Sequence, residues 1–281
     1  LPYVTKPDSI VPGVASYYAS SFVNAGDYCS VLVKTREGRP IKVEGNSLSS
    51  VTKGGTSARA QASVLSLYDN SRFTGPKRKD GEGWADASWE DIDKAMAGLS
   101  GNIRILTNTN MSPTAKNALE EFKAKHAGAQ VVTYDAVSSS AILEANEACF
   151  GQKVVPNYKF DQAEVIVSFG ADFLGTWISP TEYANDYIQN RKIKDVSGAK
   201  MSRHIQVESA MTLTGSNADN RVLVKPSEMG AAIATLFNEI AKASQSPTIS
   251  APAINDKAAA AFQNLAKELL AHNNKCLVVS G

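Results

Sequence analysis

The sequence lacks the features that mark several large classes of protein. Its 29 lysines and arginines are balanced by 28 aspartates and glutamates. The net charge of +1 therefore gives no electrostatic basis for binding nucleic acid, which uses a strongly basic surface. No apolar run reaches the roughly 18 residues needed to span a bilayer, so we predict no direct membrane span. The 43% of hydrophobic residues is too high for a disordered chain and predicts a globular one.

Cysteine is scarce and scattered. Cys29, Cys149 and Cys276 show neither CxxC nor CxxxC spacing, so they predict no disulfide framework and no metal knuckle. They also leave the redox compartment open.

Motifs for hydrolysis and for phosphate binding are missing too. The sequence contains no GxSxG, HExxH, GxxxxGK[ST] or GxGxxG. Of the three histidines, His126 and His272 fall at predicted helix C-termini, where a cation favours the helix dipole. His204 precedes a predicted strand beside Arg203 and has no obvious partner. We therefore assign no catalytic residue, no cofactor-binding residue and no metal ligand.

The second part of the chain, from residue 101 to 281, alternates strand and helix patterns. Residues 165–169 form a fully apolar strand, and residues 229–243 form a long amphipathic helix. Such alternation predicts an α/β fold, a Rossmann-like parallel sheet with helices on both faces.

Residues 29–100 predict a small region of β-hairpin and helix. Two β-rich runs flank Glu37-Gly38, which is a hairpin signal. Helices are predicted at 57–68 and 89–99, and residues 75–83 read as a polar loop.

The two ends carry a different kind of information. Residues 1–28 are apolar without a helical or alternating period, which predicts an extended N-terminal arm. They lack the charged and apolar regions of a signal peptide. The chain begins without methionine, and its last predicted strand stops at Gly281 without a crossover helix. We therefore expect a fragment of a longer chain.

Two loops are candidates for binding an anion or a small ligand. Residues 170–176 follow a buried strand, the place where open α/β sheets bind ligands. The alternative is an ordinary turn in which glycine permits a positive φ angle. Lys77, Arg78 and Lys79, followed by Gly81 and Gly83, could hold an anion, but we favour their interpretation as a solvated charge cluster.

Four segments, taken in chain order, share one pattern: Cys29 with the hairpin to Asn46; Leu67-Tyr68-Asp69-Asn70-Ser71-Arg72 with the following Gly75-Pro76; Trp84 with Ser88-Trp89; and Ala218-Asp219 before Val222-Leu223-Val224-Lys225-Pro226. Together they resemble the molybdopterin oxidoreductases related to formate dehydrogenase, nitrate reductase and dimethyl sulfoxide reductase. The resemblance implies an N-terminal iron–sulfur hairpin and a pterin-nucleotide site.

The departures from that family concern the cofactor ligands. The family's cluster uses four cysteine thiolates, whereas this region contains only Cys29, and Ser57 stands at the fourth ligand position. Arg59 replaces the usual lysine between cluster and pterin. Pro226-Ser227-Glu228-Met229 replaces the glycine-containing turn at the pterin nucleotide. The resemblance therefore implies that both prosthetic groups are absent from this part of the chain.

One subgroup shares that combination. Residues 151–158, 170–180 and 207–219 resemble the molybdopterin-like half of the large iron–sulfur subunit of alternative complex III, a bacterial quinol:electron acceptor oxidoreductase. That resemblance implies a cofactor-free domain on the periplasmic side of the inner membrane, exported by a twin-arginine-type leader. It also implies iron–sulfur clusters only in a missing C-terminal part, with other subunits of a membrane-bound respiratory complex as partners.

Three functions stay open at this stage. The first is a cofactor-free scaffold domain of a respiratory complex, and the second is part of an active molybdenum or tungsten oxidoreductase. The third is an α/β module that binds a small ligand at the Gly170 loop. For residues 1–28 the alternatives are docking to another subunit and packing as a strap along their own domain.

Overall fold

The computed structural model describes residue 5 and residues 7–8, 10–24, 27–193 and 195–281. The strands are β1 (Ser16–Asn24), β2 (Asp27–Arg36), β3 (Arg39–Gly45), β4 (Lys77–Asp80), β5 (Gly83–Asp86), β6 (Arg104–Thr107), β7 (Gln130–Thr133), β8 (Val165–Phe169), β9 (Arg203–Glu208), β10 (Asn220–Leu223) and β11 (Cys276–Ser280). The helices are α1 (Ala58–Ser66), α2 (Trp89–Ala97), α3 (Pro113–Lys125), α4 (Ser140–Phe150), α5 (Pro180–Gln189), α6 (Leu213–Ser216), α7 (Met229–Ala243) and α8 (Asp256–Ala271).

The chain forms two compact units. One comprises Leu1–Tyr68 together with Asn157–Gly281, and the other comprises Asp69–Pro156. These units do not coincide with the domains predicted at 1–28, 29–100 and 101–281, because the second half of the chain packs with the N-terminal strands. The three predicted domains therefore remain a prediction about the order of regions along the sequence.

In the first unit, strands β1, β2 and β3 form an antiparallel N-terminal sheet. The predicted hairpin is confirmed at the β2–β3 turn, where Glu37 has φ 51° and Gly38 has φ 75°, as a two-residue turn with positive φ at both positions requires. Helix α1 packs on β3 and begins at Ser57, whose side chain accepts a hydrogen bond from the Ala60 N–H.

Strand β1 lies within the predicted N-terminal arm and was not predicted as a strand. It pairs with β2 over its whole length, from Ser16 opposite Thr35 to Asn24 opposite Asp27. Most of its side chains are exposed on both faces, so the sequence shows no alternation that would indicate a half-buried strand. Part of the arm therefore packs along its own domain.

The α/β prediction is confirmed by a parallel sheet in the order β10-β9-β8-β11. One face of this sheet packs Val165, Val167 and Phe169 against α7 and α8. The opposite face packs Ile166 and Leu277 into an aromatic cluster with residues of α5. Because β8 is buried on both faces, its sequence is an unbroken apolar run, as expected for a central parallel strand.

The second unit contains two small sheets. Strands β4 and β5 form an antiparallel hairpin, so the prediction that residues 75–83 are only a loop is wrong. The hairpin is exposed, and its charged sequence therefore gave no apolar signal. Strands β6 and β7 pair in parallel with each other, which means that the parallel strands predicted from residue 101 onward are divided between two sheets.

A search of the helices in the described part of the chain finds none that combines the length and the apolar character needed to cross a bilayer.

Candidate functional site

The carboxyl edge of the parallel sheet is the first candidate site, because ligands of open α/β sheets bind there. Strand β8 ends at Gly170, which has φ 65° and whose N–H donates to the Val207 carbonyl at 2.9 Å. The predicted loop therefore lies at this edge, beside the end of β9. A positive φ angle at Gly170 agrees with the alternative interpretation of this loop as an ordinary turn.

The only carboxylate of the Gly170 loop is already bonded within the protein. Asp172 Oδ1 accepts from the Thr214 N–H at 3.0 Å and from Thr214 Oγ1 at 2.7 Å. Its Oδ2 accepts from Thr176 Oγ1 at 3.3 Å. A Cβ at Gly175 would lie 2.1 Å from Asp172 Oδ2. The loop is thus held by its own hydrogen bonds and presents no free acid to a ligand.

Glu208, a buried carboxylate at the end of β9, was missed by the sequence reasoning. It is 2% exposed and accepts from Arg221 Nε at 2.6 Å and from Thr212 Oγ1 at 2.7 Å. A Cβ at Gly215 would lie 1.9 Å from Glu208 Oε1. The signal in the sequence was an acidic residue at the end of a strand, thirteen positions before an arginine. The contacts describe a structural ion pair, because every oxygen faces a partner.

His204 does have partners, which corrects the sequence interpretation. It lies within β9, fully buried, with Nδ1 3.1 Å from the Tyr187 hydroxyl and Nε2 3.3 Å from Gln206 Oε1. Burial lowers the pKa of its imidazole to about 4, so the ring is neutral at physiological pH. Burial likewise raises the pKa of Tyr187 to about 12. The ring is inaccessible to solvent and packs against Phe173.

The other two histidines have the predicted positions. His126 is the C-cap of α3, and its ring contacts Phe122 at a centroid distance of 4.5 Å. His272 is the C-cap of α8. The capping interpretation is confirmed for both.

The basic run of the second unit is spread over the β4–β5 hairpin. Lys77 pairs with Asp86, and Lys79 lies over the ring of Trp84 at 5.6 Å. Alternate residues of a strand point to opposite faces, so Arg78 faces away from both. The three cations therefore do not converge on a common point, as an anion site would require.

The second candidate site surrounds Cys29, where the family resemblance implies an iron–sulfur cluster. Cys29 is fully buried. Its Sγ lies 3.7 Å from Thr181 Oγ1, 3.9 Å from Asp27 Oδ1 and 4.0 Å from Ser57 Oγ. The structure thus brings Cys29 and Ser57 together, as the family resemblance implied. The side-chain atoms next to this sulfur are oxygens, not the thiolate sulfurs that bind the iron of an iron–sulfur cluster.

Arg59 completes this group through Asp27. Its Nε lies 3.4 Å from Asp27 Oδ2, an oxygen that is buried and has no hydrogen bond among the described residues. Arg59, which stands in place of the family's lysine, therefore balances a buried carboxylate here. Across the described ranges no group of three His, Cys, Asp or Glu side chains could hold a metal ion.

A second ion pair joins the same region to α5. Lys53 Nζ lies 2.7 Å from Asp186 Oδ1, and Asp186 is 2% exposed. The hydrogen bond to Asp186 raises the pKa of Lys53. A Cβ at Gly55 would lie 3.0 Å from Thr181 Cγ2, so the turn before α1 approaches α5 closely. The region around Cys29 is therefore a polar joint between the N-terminal sheet and α5.

The third candidate site is the turn before α7, where the resemblance implies the pterin nucleotide. Residues Pro226–Glu228 form a single 3-10 turn, and Glu228 Oε2 accepts from the Lys225 N–H at 3.1 Å. Glu228 is the N-cap residue of α7, but its side chain makes no hydrogen bond to that helix and bonds back to Lys225 instead. A carboxylate beside the helix N-terminus places negative charge near the end that would attract phosphate, so these residues do not favour a nucleotide.

An open pocket of about 370 Å³ adjoins this turn. Ser209, Lys225, Glu228 and Asn255 contribute its polar side chains. Lys225 Nζ lies 3.6 Å from Glu228 Oε1, and Asn255 caps α8 by accepting from the Ala258 N–H. The polar lining is thus largely engaged within the protein.

No family model matches this chain. A curated relative, the "menaquinone reductase, molybdopterin-binding-like subunit" of Nitratidesulfovibrio vulgaris, is 24% identical over 226 residues. The match covers 77% of this chain and 31% of the relative, so the chain spans about a third of the relative's length.

A solved structure, acetylene hydratase from Pelobacter acetylenicus, superposes with a TM-score of 0.54 at 12% identity. The superposition covers 92% of this chain and 38% of the acetylene hydratase chain. At this identity the likeness concerns the fold alone. The shared α/β fold and the weak sequence similarity together support a molybdopterin oxidoreductase-like superfamily for this chain.

Proposed function

We propose that this chain is a non-catalytic scaffold domain of a respiratory quinone oxidoreductase, and that it holds no molybdopterin and no iron–sulfur cluster. The observation that carries the proposal is the environment of Cys29, whose sulfur faces the oxygens of Asp27, Ser57 and Thr181. Removing the ligands while keeping the fold leaves a domain that supports assembly rather than redox chemistry. The relative's name, a molybdopterin-binding-like subunit, agrees with that role.

At a finer level, the complex is of the alternative complex III type, a quinol:electron acceptor oxidoreductase. The domain lies on the periplasmic side of the inner membrane, reached through a twin-arginine-type leader, and its partners are the other subunits. Iron–sulfur clusters lie in a separate C-terminal part. The three segments at 151–158, 170–180 and 207–219 support this assignment.

The alternative functions require groups that the sites do not offer. An active molybdenum enzyme needs room for a phosphate at α7, where Glu228 places a carboxylate. A ligand module at the Gly170 loop needs a free polar group, but Asp172 is bonded to Thr214 and Thr176. The scaffold role requires neither.

The first experiment replaces Cys29 with serine in the intact protein, purified anaerobically, with Cys149→Ser as the matched control. We expect both variants to keep the iron content, the visible absorption and the paramagnetic resonance spectrum of the unmodified protein. A loss of about four irons in Cys29→Ser alone would show that Cys29 ligates a cluster and would overturn the proposal.

A second experiment tests the pterin. Acid release followed by fluorescence of oxidised pterin should give no signal from the intact protein, and elemental analysis should give neither molybdenum nor tungsten. One pterin per chain would contradict the scaffold role.

A third experiment tests location and partners. Membranes are solubilised and a tagged chain is recovered, and we expect membrane-bound quinol-oxidising activity to co-purify with it. Recovery of the tagged chain alone would count against the respiratory complex.

A further inference from the structure

The outer edge of the N-terminal sheet is formed by β1. All nine residues of this strand pair with β2, and within the part of the chain that the structure describes no strand pairs on its other side. An edge strand of this kind presents a row of unpaired N–H and C=O groups to its surroundings.

The register shows which groups are unpaired. The Ser30 carbonyl accepts from the Asn46 N–H, so Ser30 directs its backbone groups toward β3. In an antiparallel ladder the direction alternates from residue to residue, and Val31 therefore faces β1, where its partner is Ser20. The residues of β1 that direct their backbone away from β2 are Tyr17, Ala19, Ser21 and Val23.

Strand β1 lacks the devices by which proteins protect such an edge. Its sequence, SYYASSFVN, contains no proline and no charged residue, although both are common on free edges. The small central residues Ala19, Ser20 and Ser21 are all exposed, so no described segment covers the middle of the strand. Tyr18 is 58% exposed and Val23 is 66% exposed.

The opposite edge of the same sheet provides a contrast. Strand β3 carries Arg39, Pro40, Lys42 and Glu44, which are the residues that discourage pairing with another strand. Only one of the two edges of this sheet is therefore open to further pairing.

The sequence of β1 is also symmetric about its centre. Counting outward from Ser20, the small Ala19 matches the small Ser21, and the aromatic Tyr18 matches the aromatic Phe22. Next, Tyr17 matches Val23, and at the ends Ser16 matches Asn24. An antiparallel strand of the same sequence would thus place each large residue opposite a large one and no like charges opposite each other.

We propose that β1 is a homodimer interface, in which a second copy of this chain pairs its own β1 antiparallel about a twofold axis at Ser20. The two three-stranded sheets then form one sheet of six strands. The register satisfies the free backbone groups, because Tyr17 meets Val23 of the second copy and Ala19 meets Ser21. Such an interface is isologous, so both copies use the same residues.

The register makes a sharp test by cross-linking. Ser20 of one copy lies opposite Ser20 of the second copy, at a position where the two residues exchange no backbone hydrogen bonds. Their Cα atoms are then about 4.5 Å apart, which is within the range of a disulfide. In the intact protein with Cys149→Ser and Cys276→Ser, the Ser20→Cys variant treated with oxidised glutathione should form a covalent dimer, releasing two reduced glutathione molecules. Ser16→Cys is the control, since the two copies of residue 16 lie roughly 27 Å apart at 3.3–3.4 Å per residue.

A second test leaves the cysteines unchanged. Sedimentation of the intact protein should give twice the mass of one copy, and Ser21→Pro should give the monomer with little change in melting temperature, because the N–H of Ser21 does not bond to β2. Ser21→Val, which keeps the N–H, should stay dimeric. If proline perturbs folding, Ser21→Lys should still give the monomer by charge repulsion. A monomeric unmodified protein, or equal cross-linking of Ser16→Cys and Ser20→Cys, would overturn the interface.

Discussion

The hydroxyl of Tyr187 lies 3.1 Å from Nδ1 of His204 in the interior of the first unit. The same hydroxyl donates to the Asn217 carbonyl at 3.1 Å, and Nε2 on the other side of the imidazole lies 3.3 Å from Gln206 Oε1. This pair joins α5 to β9. This polar pair lies on one face of the sheet, and Ile205 and Val207 of the same strand lie on the other face, in the aliphatic core.

We expect the stability of the protein to depend on His204 below neutral pH. Its pKa is about 4 in the folded protein and 6.5 when exposed, so the unfolded chain binds the proton first. Its contribution is fully present above pH 6.5 and is lost as pH falls toward 4, by about 3 kcal/mol at 1.36 kcal/mol per pKa unit.

Chemical denaturation of His204→Gln between pH 4 and pH 8 checks this expectation. The variant should be less stable at pH 8 but should show a flatter dependence on pH than the unmodified protein. His126→Gln, at the end of α3, should keep the steep dependence. Identical slopes for all three proteins would contradict the buried neutral histidine.

Two glycines test whether the loops at the carboxyl edge are as tightly packed as the distances indicate. A Cβ at Gly215 would lie 1.9 Å from Glu208 Oε1, whereas a Cβ at Gly230 has no atom within 4 Å. Gly215→Ala should therefore destabilise the protein by roughly 1–3 kcal/mol, as overpacking does. Gly230→Ala, inside α7, should stabilise it by roughly 0.5–1 kcal/mol. Thermal melting of the two variants should shift in opposite directions, and a common direction would refute the close packing.

How far the sequence predicts this fold depends on burial. Strand β8 and helix α7 have the predicted bounds, because one is buried on both faces and the other has a single apolar face. Strands β1 and β4 were not predicted, because they are exposed and their stability comes from neighbouring strands rather than from side-chain pattern.

The candidate sites divide in the same way. The resemblance predicted that Cys29 and Ser57 lie close together, because it places both at cluster-ligand positions of the family. Tyr187, whose hydroxyl contacts the His204 ring, is 17 positions away along the chain, and only the fold brings the two side chains together. The bond between Asp172 and Thr214 spans 42 positions and has no local signal in the sequence.

The ion pair between Lys53 and Asp186 should contribute measurably to stability. Asp186 is 2% exposed while the side chain of Lys53 is 47% exposed, so solvent screens the pair in part, and Lys53→Gln should cost roughly 1 kcal/mol. The control is Lys42→Gln, which removes an exposed pair with Glu44 and should cost close to nothing. Urea unfolding measures both, and equal costs would mean that the buried carboxylate needs no partner.

Ser57 offers the last test, because it stands at the position of a family ligand yet begins a helix. Its Oγ accepts from the Ala60 N–H at 3.1 Å, so Ser57→Ala should destabilise the protein by about 1 kcal/mol through loss of the N-cap. Ser57→Thr keeps the acceptor and should recover most of that loss. Ser63→Ala removes a serine from the interior of the same helix, where alanine is the better helix former, and should not destabilise. The role of Ser57 as a helix cap requires this order of stabilities, and an equal effect at positions 57 and 63 would disprove it.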